Sequence, residues 1–331
     1  MSEIKIRTVE NKKDLLKFIK FQWTIYKGNK HWVPPLIMER KALLNKEKNP
    51  FFKTSQAEYF LAEHDGKLVG RIAAIKNDVH LKYHNDNTGF FGFFECINDQ
   101  EVANALFDKA KEWNKQKGLN RMMGPANPSS NDEWGMLIEG YDDSPRLLMT
   151  YNPPYYNELC ENYGMKKAKD MFAWKIEYDK ITSSDKLKRG KDIVQNRYKI
   201  KVRQLPLVEP SLVIFGTIDD KLAGAALVMQ DYNQIFKEMN GKLFPFNFLK
   251  LYTMKKKITW ARILTLGIIP EFQKKGLDTV LYWEVVERAS KLGIKQGEAS
   301  WVLEDNEMMN RGLKLMNAHP YKKYRIWEVN T

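Results

Sequence analysis

The stretch Ile263-Leu264-Thr265-Leu266-Gly267-Ile268-Ile269-Pro270-Glu271-Phe272-Gln273-Lys274-Lys275-Gly276-Leu277-Asp278 carries most of the information on how this chain folds. An apolar run ends at a proline, a turn rich in Gln and Lys follows, and Gly276 precedes a helical pattern. These features predict a buried strand that delivers the chain to a helix start. The first N–H groups of a helix have no backbone partner and sit at the positive end of its dipole. Such a start therefore suits a pyrophosphate.

Working outward, the pattern predicts a helix over residues 277–292 stopped by Gly293, a strand at 298–303, a helix at 307–316 and a strand at 324–329. Upstream, strands are expected at 199–204, 212–218, 222–230 and 262–269, with Asp219-Asp220 turning the hairpin. The first half repeats this order at greater length. It has a strand at 4–9, helical spacing over 13–26, a short helix at 37–44, and strands at 58–63 and 68–75 joined by Asp65-Gly66. A strand at 89–95, an amphipathic helix at 100–117 ended by Gly118 and a strand at 122–125 complete the first half. Repeated order without repeated sequence predicts two domains, and 331 residues exceed one ordinary core. The boundary falls in 179–191, where Thr182-Ser183-Ser184-Asp185 and a charge run interrupt the periodicity, giving domains at 1–180 and 190–331. Only 205–210 separate the first two strands of the second half, too short a link for a helix pair.

The Gln273-Lys274-Lys275-Gly276 turn, together with Ser300-Trp301-Val302-Leu303-Glu304-Asp305-Asn306 before the next helix, resembles the cofactor motif and fifth strand of the GNAT (Gcn5-related N-acyltransferase) superfamily. With segments 92–106, 124–135 and 151–164, the chain is similar to a bacterial family of tandem GNAT-like proteins over nearly its whole length. The resemblance implies an α/β (α+β) mixed-sheet fold of two GNAT-like domains, the second shortened by loss of its first helix pair. In the family motif a Gln or Arg, two variable residues, a Gly, one further residue and a Gly or Ala cradle the pyrophosphate of coenzyme A. Gln273 and Gly276 match, whereas Asp278 stands at the small-residue position. The cofactor residues so implied are Ile268, Gln273, Lys274, Lys275, Gly276, Leu277 and Asn306, with acyl-coenzyme A or an acyl carrier protein as donor and no metal. The corresponding loop of the first half, Cys96-Ile97-Asn98-Asp99-Gln100-Glu101, is acidic and is not expected to hold pyrophosphate.

Acylating an amine requires a base for its proton, a polarised carbonyl and an acid for the leaving thiolate. Glu95, Glu133, Tyr151 and Glu304 are the catalytic candidates, with Asp132, Tyr155 and Tyr156 beside them. The polar stretch 124–135, through Asn127, Ser130 and Asn131, is the expected floor for the acceptor, together with Tyr155 and Tyr156. Asn and Ser also build ordinary turns, so a turn cluster is the competing reading.

Composition bounds the partners. Of the net charge of +13, residues 180–275 carry +11, from nineteen Lys and Arg against eight Asp and Glu. Within that region, 232–260 combines aromatic bulk with Lys255-Lys256-Lys257, suiting either a packed insertion or contact with an anionic bilayer. Nucleic-acid binding lacks a recognition motif and ranks last. No apolar run nears the ~20 residues that span a membrane and no secretory leader is evident, so the expectation is a cytoplasmic protein, either free or peripheral at the inner membrane face. Cys96 and Cys160 are expected as buried thiols. His80 and His84 are expected in a loop, and no metal spacing is present. Two functions stay open: an N-acyltransferase acting on a small-molecule or lipid amine, and a catalytically silent GNAT-like binding protein.

Overall fold

A computed structural model describes residues 3–129, 132–205 and 211–331. The chain opens with β1 (Lys5–Thr8), α1 (Lys12–Lys20), α2 (Gln22–Ile25) and α3 (Ile37–Leu43). The strands β2 (Gln56–His64) and β3 (Lys67–Lys76), the helix α4 (Asp78–His84), the strand β4 (Thr88–Cys96) and the helix α5 (Gln100–Gln116) follow. Next come β5 (Arg121–Gly124), β6 (Ala126–Asn127), β7 (Glu133–Trp134), β8 (Met136–Glu139), α6 (Tyr155–Asn162) and β9 (Lys166–Glu177). The second half runs through α7 (Tyr178–Thr182), α8 (Asp185–Arg197), β10 (Lys201–Leu205), β11 (Ser211–Ile218), β12 (Lys221–Gln230), α9 (Asn233–Met239) and α10 (Leu249–Thr253). It closes with β13 (Trp260–Ile268), α11 (Leu277–Lys291), β14 (Gln296–Leu303), α12 (Glu307–Leu315) and β15 (His319–Asn330).

These elements form two compact units, and neither is one stretch of sequence. The first comprises Met1–Asp170, Phe236–Asn247 and Tyr324–Thr331; the second comprises Met171–Ile235 and Phe248–Lys323.

In the first unit β1, β2, β3 and β4 are successive antiparallel neighbours, β5 runs parallel to β4, and Trp327–Asn330 of β15 pairs antiparallel with β5. The β2–β3 turn places Asp65 at φ 50° and Gly66 at φ 70°, the pair of left-handed residues that a type I′ hairpin requires. Strand alternation gives the sheet two apolar faces. Phe60, Ala62, Ile72 and Phe91 pack with Val102, Leu106 and Phe107 of α5. Tyr59, Leu61, Ala73 and Phe90 pack with Phe18 and Ile19 of α1. Burying side chains such as Leu106 and Phe107 stabilises the unit by about 1.5–3 kcal/mol each.

The second unit repeats this plan. β10 to β13 are antiparallel neighbours, β14 runs parallel to β13, and Met171–Glu177 of β9 pairs antiparallel with β14. Its core joins Ile214, Val228, Ala261 and Ile263 to Leu277, Leu281 and Val285 of α11. No helix is described between β10 and β11, and the side chains facing away from that core, among them Val213, Phe215, Leu227 and Met229, are half-buried.

Two local expectations are corrected. His80 and His84 lie on the helix α4, not in a loop: Asn77 Oδ1 caps its start at the His80 amide (3.1 Å), and Asn85, at φ 52°, is the left-handed residue that ends it. The Thr182–Asp185 interruption is the start of a helix, since the Ser184 hydroxyl accepts the Leu187 amide and caps α8.

Candidate active site

In the second unit the register of β12 against β13 passes from Leu227↔Thr265 to Val228↔Ile263, leaving Leu264 as a bulge. A bulge bends its strand. Here β13 stays paired with β14 only from Trp260↔Gln296 to Ile263↔Ala299, and beyond that point the two parallel strands part. Buried polar groups buttress the fork. Arg262 donates from Nε to the Ser300 hydroxyl (2.8 Å) and from Nη2 to the Ser300 carbonyl (3.0 Å). The Ser300 hydroxyl donates to Glu298 Oε1 (2.6 Å), the Tyr321 hydroxyl bonds the other oxygen, and Arg262 stacks over Trp301. Sequence reasoning missed this network. Its signal was available, because Arg262 and Glu298 are the sole charged residues of two otherwise uncharged strands.

Past the fork, β13 leads into the turn before α11. The Gln273 amide donates to the Ile268 carbonyl (3.2 Å), tying the turn to the strand end. Lys274 (φ 59°) and Gly276 (φ 78°) adopt left-handed backbone. Gly276 is the N-cap, so no side chain caps the first N–H groups of α11. A side chain at Gly276 would also press on Val194 of α8 at about the 3.1 Å that separates that methyl from an added Cβ. The Leu277 side chain is fully buried, received by Gly216 and Gly224, where an added Cβ would stand 3.0 and 3.3 Å from it. Lys275 lies over the Phe272 ring, and a carboxylate oxygen of Asp278 lies beside Gly312 of α12. Asn306 Oδ1 accepts the Met309 amide (3.1 Å) and caps α12, while Glu304, at the end of β14, is half-buried.

The equivalent place in the first unit is closed. β4 and β5 part after Phe90↔Met123, and β4 is bulged, with Phe93 at φ 50°. The opening holds β6: Asn127 Oδ1 accepts the Phe93 amide hydrogen (2.6 Å), and a Cβ on Gly92 would strike the Ala126 carbonyl at 1.7 Å. At the start of α5, Asp99 Oδ1 accepts the Glu101 and Val102 amides (2.9 and 3.2 Å), so that helix is capped by its own carboxylate.

The other candidates of the first unit form two groups. Glu95 is buried and accepts from Gln22 Nε2 (2.9 Å), Arg71 Nη2 (3.4 Å) and the Tyr156 hydroxyl (2.7 Å). Burial pushes the Glu95 carboxyl above its ordinary range, an effect that the Arg71 charge and the Tyr156 hydroxyl partly offset. Tyr156 also accepts the Cys96 amide, Tyr155 donates to the Cys96 carbonyl (2.8 Å), and burial raises both phenols. Glu133 bonds Asn127 Nδ2 (3.1 Å) and the buried Arg40 guanidinium. The Tyr151 hydroxyl donates to the Tyr141 carbonyl (3.0 Å). Ser130 and Asn131 lie outside the described residues. Both cysteines are free and buried. Among the described residues, no three His, Cys, Asp or Glu converge as a metal site, and no helix is long and apolar enough to cross a membrane.

No family model matches the chain. Aligned on solved structures, it superposes on a tandem GNAT protein from the clavulanic acid biosynthesis pathway with a TM-score of 0.60, over 99% of this chain and 98% of that one, at 11% identity. The chain has a tandem GNAT-like fold. Each unit of this fold presents a parted pair of parallel strands, beside a helix start without a side-chain cap in the second and filled by β6 in the first. Two curated proteins are similar along their whole length. Protein YghO of Escherichia coli is 29% identical over 98% of this chain and 94% of its own. The bacterial ceramide synthase of Caulobacter vibrioides is 29% identical over 99% of this chain and 97% of its own.

Proposed function

We propose that the protein is an N-acyltransferase whose second unit takes an acyl thioester, borne by coenzyme A or an acyl carrier, and passes the acyl group to a lipid-borne amine. The observation that carries the reading is the uncapped start of α11 beside parted strands, set against a first unit where both features are blocked. Similarity to a bacterial ceramide synthase supports a lipid acceptor. Coenzyme A would supply the activated acyl group as a thioester.

The residues present fit such a donor. The leading amides of α11, with Gly276, would hold the pyrophosphate, and Gln273, Lys274 and Lys275 would surround it with donors and positive charge. Leu277 anchors the helix, Ile268 ends the strand, and amides of β13 freed by the fork are available to polarise a carbonyl. Glu304 is the proposed base for the amine proton, and Asn306 would fix the end of β14 by capping α12. Glu95, Glu133, Tyr151, Asn127, Tyr155 and Tyr156, all engaged internally, are assigned to supporting the first unit, which carries no donor. The reaction would take place on the cytoplasmic side.

Asp278 favours a second reading, a silent binding protein, because its carboxylate sits in the first turn of α11. Calorimetry of the full chain with free, acetyl- and palmitoyl-coenzyme A separates the two. Binding is expected, and Gly276→Val should abolish it; a chain that binds none of the three would exclude coenzyme A as the donor.

A further inference from the structure

From Met239 to Pro270 the sequence has no Asp or Glu, yet it has Lys242, Lys250, Lys255, Lys256, Lys257 and Arg262. Within this run five large apolar residues are exposed over nine positions: Phe244 (62%), Phe246 (75%), Phe248 (36%), Leu249 (49%) and Tyr252 (81%). Single exposed apolar residues are ordinary on protein surfaces. Five in close succession, followed at once by three lysines, are not.

The exposure does not arise from a loose chain. In the first unit Asn247 Nδ2 holds the Lys242 carbonyl at 2.8 Å, and Gly241 packs beside Trp23. In the second unit Leu249–Thr253 is helical, the Thr253 hydroxyl bonds the Leu249 carbonyl, and Ile258 is buried just beyond the lysines. Fixed backbone therefore presents aromatic side chains and the ammonium groups of Lys256 and Lys257 to solvent.

We infer that residues 248–257 of the second unit dock the protein on an anionic bilayer, with Leu249 and Tyr252 entering the headgroup region and Lys256 and Lys257 meeting lipid phosphates. A bilayer offers both chemistries together, negative charge above hydrocarbon, whereas a nucleic-acid backbone satisfies only the lysines. The inference rests on the lipid-acceptor reading for its purpose, since an enzyme acting on a membrane-held amine must reach it.

The test sediments the full chain with phosphatidylcholine vesicles, with and without phosphatidylglycerol, at low and high salt. Binding should require phosphatidylglycerol and weaken with salt. Lys256→Gln with Lys257→Gln should lower affinity about 25-fold, at roughly five-fold per lysine. Leu249→Ser with Tyr252→Ser should lower it about tenfold or more. Absence of binding, binding indifferent to phosphatidylglycerol, or variants that sediment like the parent would overturn the proposal. So would a dimer in ultracentrifugation that Leu249→Ser with Tyr252→Ser dissolves, because a second copy would then cover the surface. Coenzyme A titration of the same variants should be unchanged. A parent protein that binds coenzyme A but no vesicles refutes docking alone, and one that binds vesicles but no coenzyme A refutes the coenzyme A site alone.

Discussion

Asn127 Oδ1 accepts the amide hydrogen of Phe93 at 2.6 Å, so the bulged position of β4 has its donor satisfied from inside the first unit. An open GNAT-like fork would leave that amide for a ligand. Asn127→Ala should leave a buried N–H without a partner and cost about 1–3 kcal/mol in urea denaturation. Coenzyme A affinity should stay unchanged, because the donor site is assigned to the other unit.

Asp278 gives the opposite test. An acidic residue in the first turn complements the α11 dipole, and the same charge opposes a bound pyrophosphate. Asp278→Ala should tighten coenzyme A binding about two- to five-fold, with a slightly less stable helix. Titration calorimetry at low salt reads the change directly, and weaker binding would argue that the carboxylate is part of the site.

Arg71 and Glu95 form a buried pair, and Arg71 also donates to the Phe18 carbonyl (2.6 Å). Removing one partner leaves a charge uncompensated. Glu95→Ala or Arg71→Ala alone should cost about 3–5 kcal/mol, whereas Arg71→Met with Glu95→Leu should recover much of the loss. A double-mutant cycle by chemical denaturation measures the coupling.

His80 should make stability fall as the solution turns mildly acidic. Burial depresses its basicity, Asp86 opposes that shift and His84 adds to it, for a net value below the usual 6.5. With a lowered pKa in the folded state, the unfolded chain takes up the proton first. The contribution is therefore complete above 6.5 and is lost as pH falls through the lowered value. The half-buried ring limits the effect to about 1 kcal/mol or less. His80→Gln should flatten the profile of denaturation midpoints, and His84→Ala, which removes one cause of the lowered value, should end the loss at a higher pH and make it smaller.

Much of the fold was legible because its local signals agree. Asp65-Gly66 fixed one hairpin, Gly118 and Gly293 stopped the two long helices, and period-two and period-3.6 patterns located most strands and helices. The region 179–191 was read as an interruption, because Ser184 caps a helix so rich in lysine that its apolar stripe is thin. In the site, the turn before α11 was visible through Gln273 and Gly276. The Arg262–Ser300–Glu298 buttress was not, since its residues are far apart in sequence and meet only once the strands pair. The closure of the first unit was hidden likewise: nothing local in Asn127 announces that its side chain ends at Phe93.

The closing strand of the first unit comes from Trp327–Asn330, at the far end of the chain, whereas that of the second, Met171–Glu177, opens the same unit. A ribosome therefore releases the residues that complete the earlier-made unit almost last, and the Arg121–Gly124 edge must wait, unpaired, through most of translation. Expressing residues 1–170 and 171–331 from separate messages would leave the first with a naked strand edge, and aggregation is its expected fate.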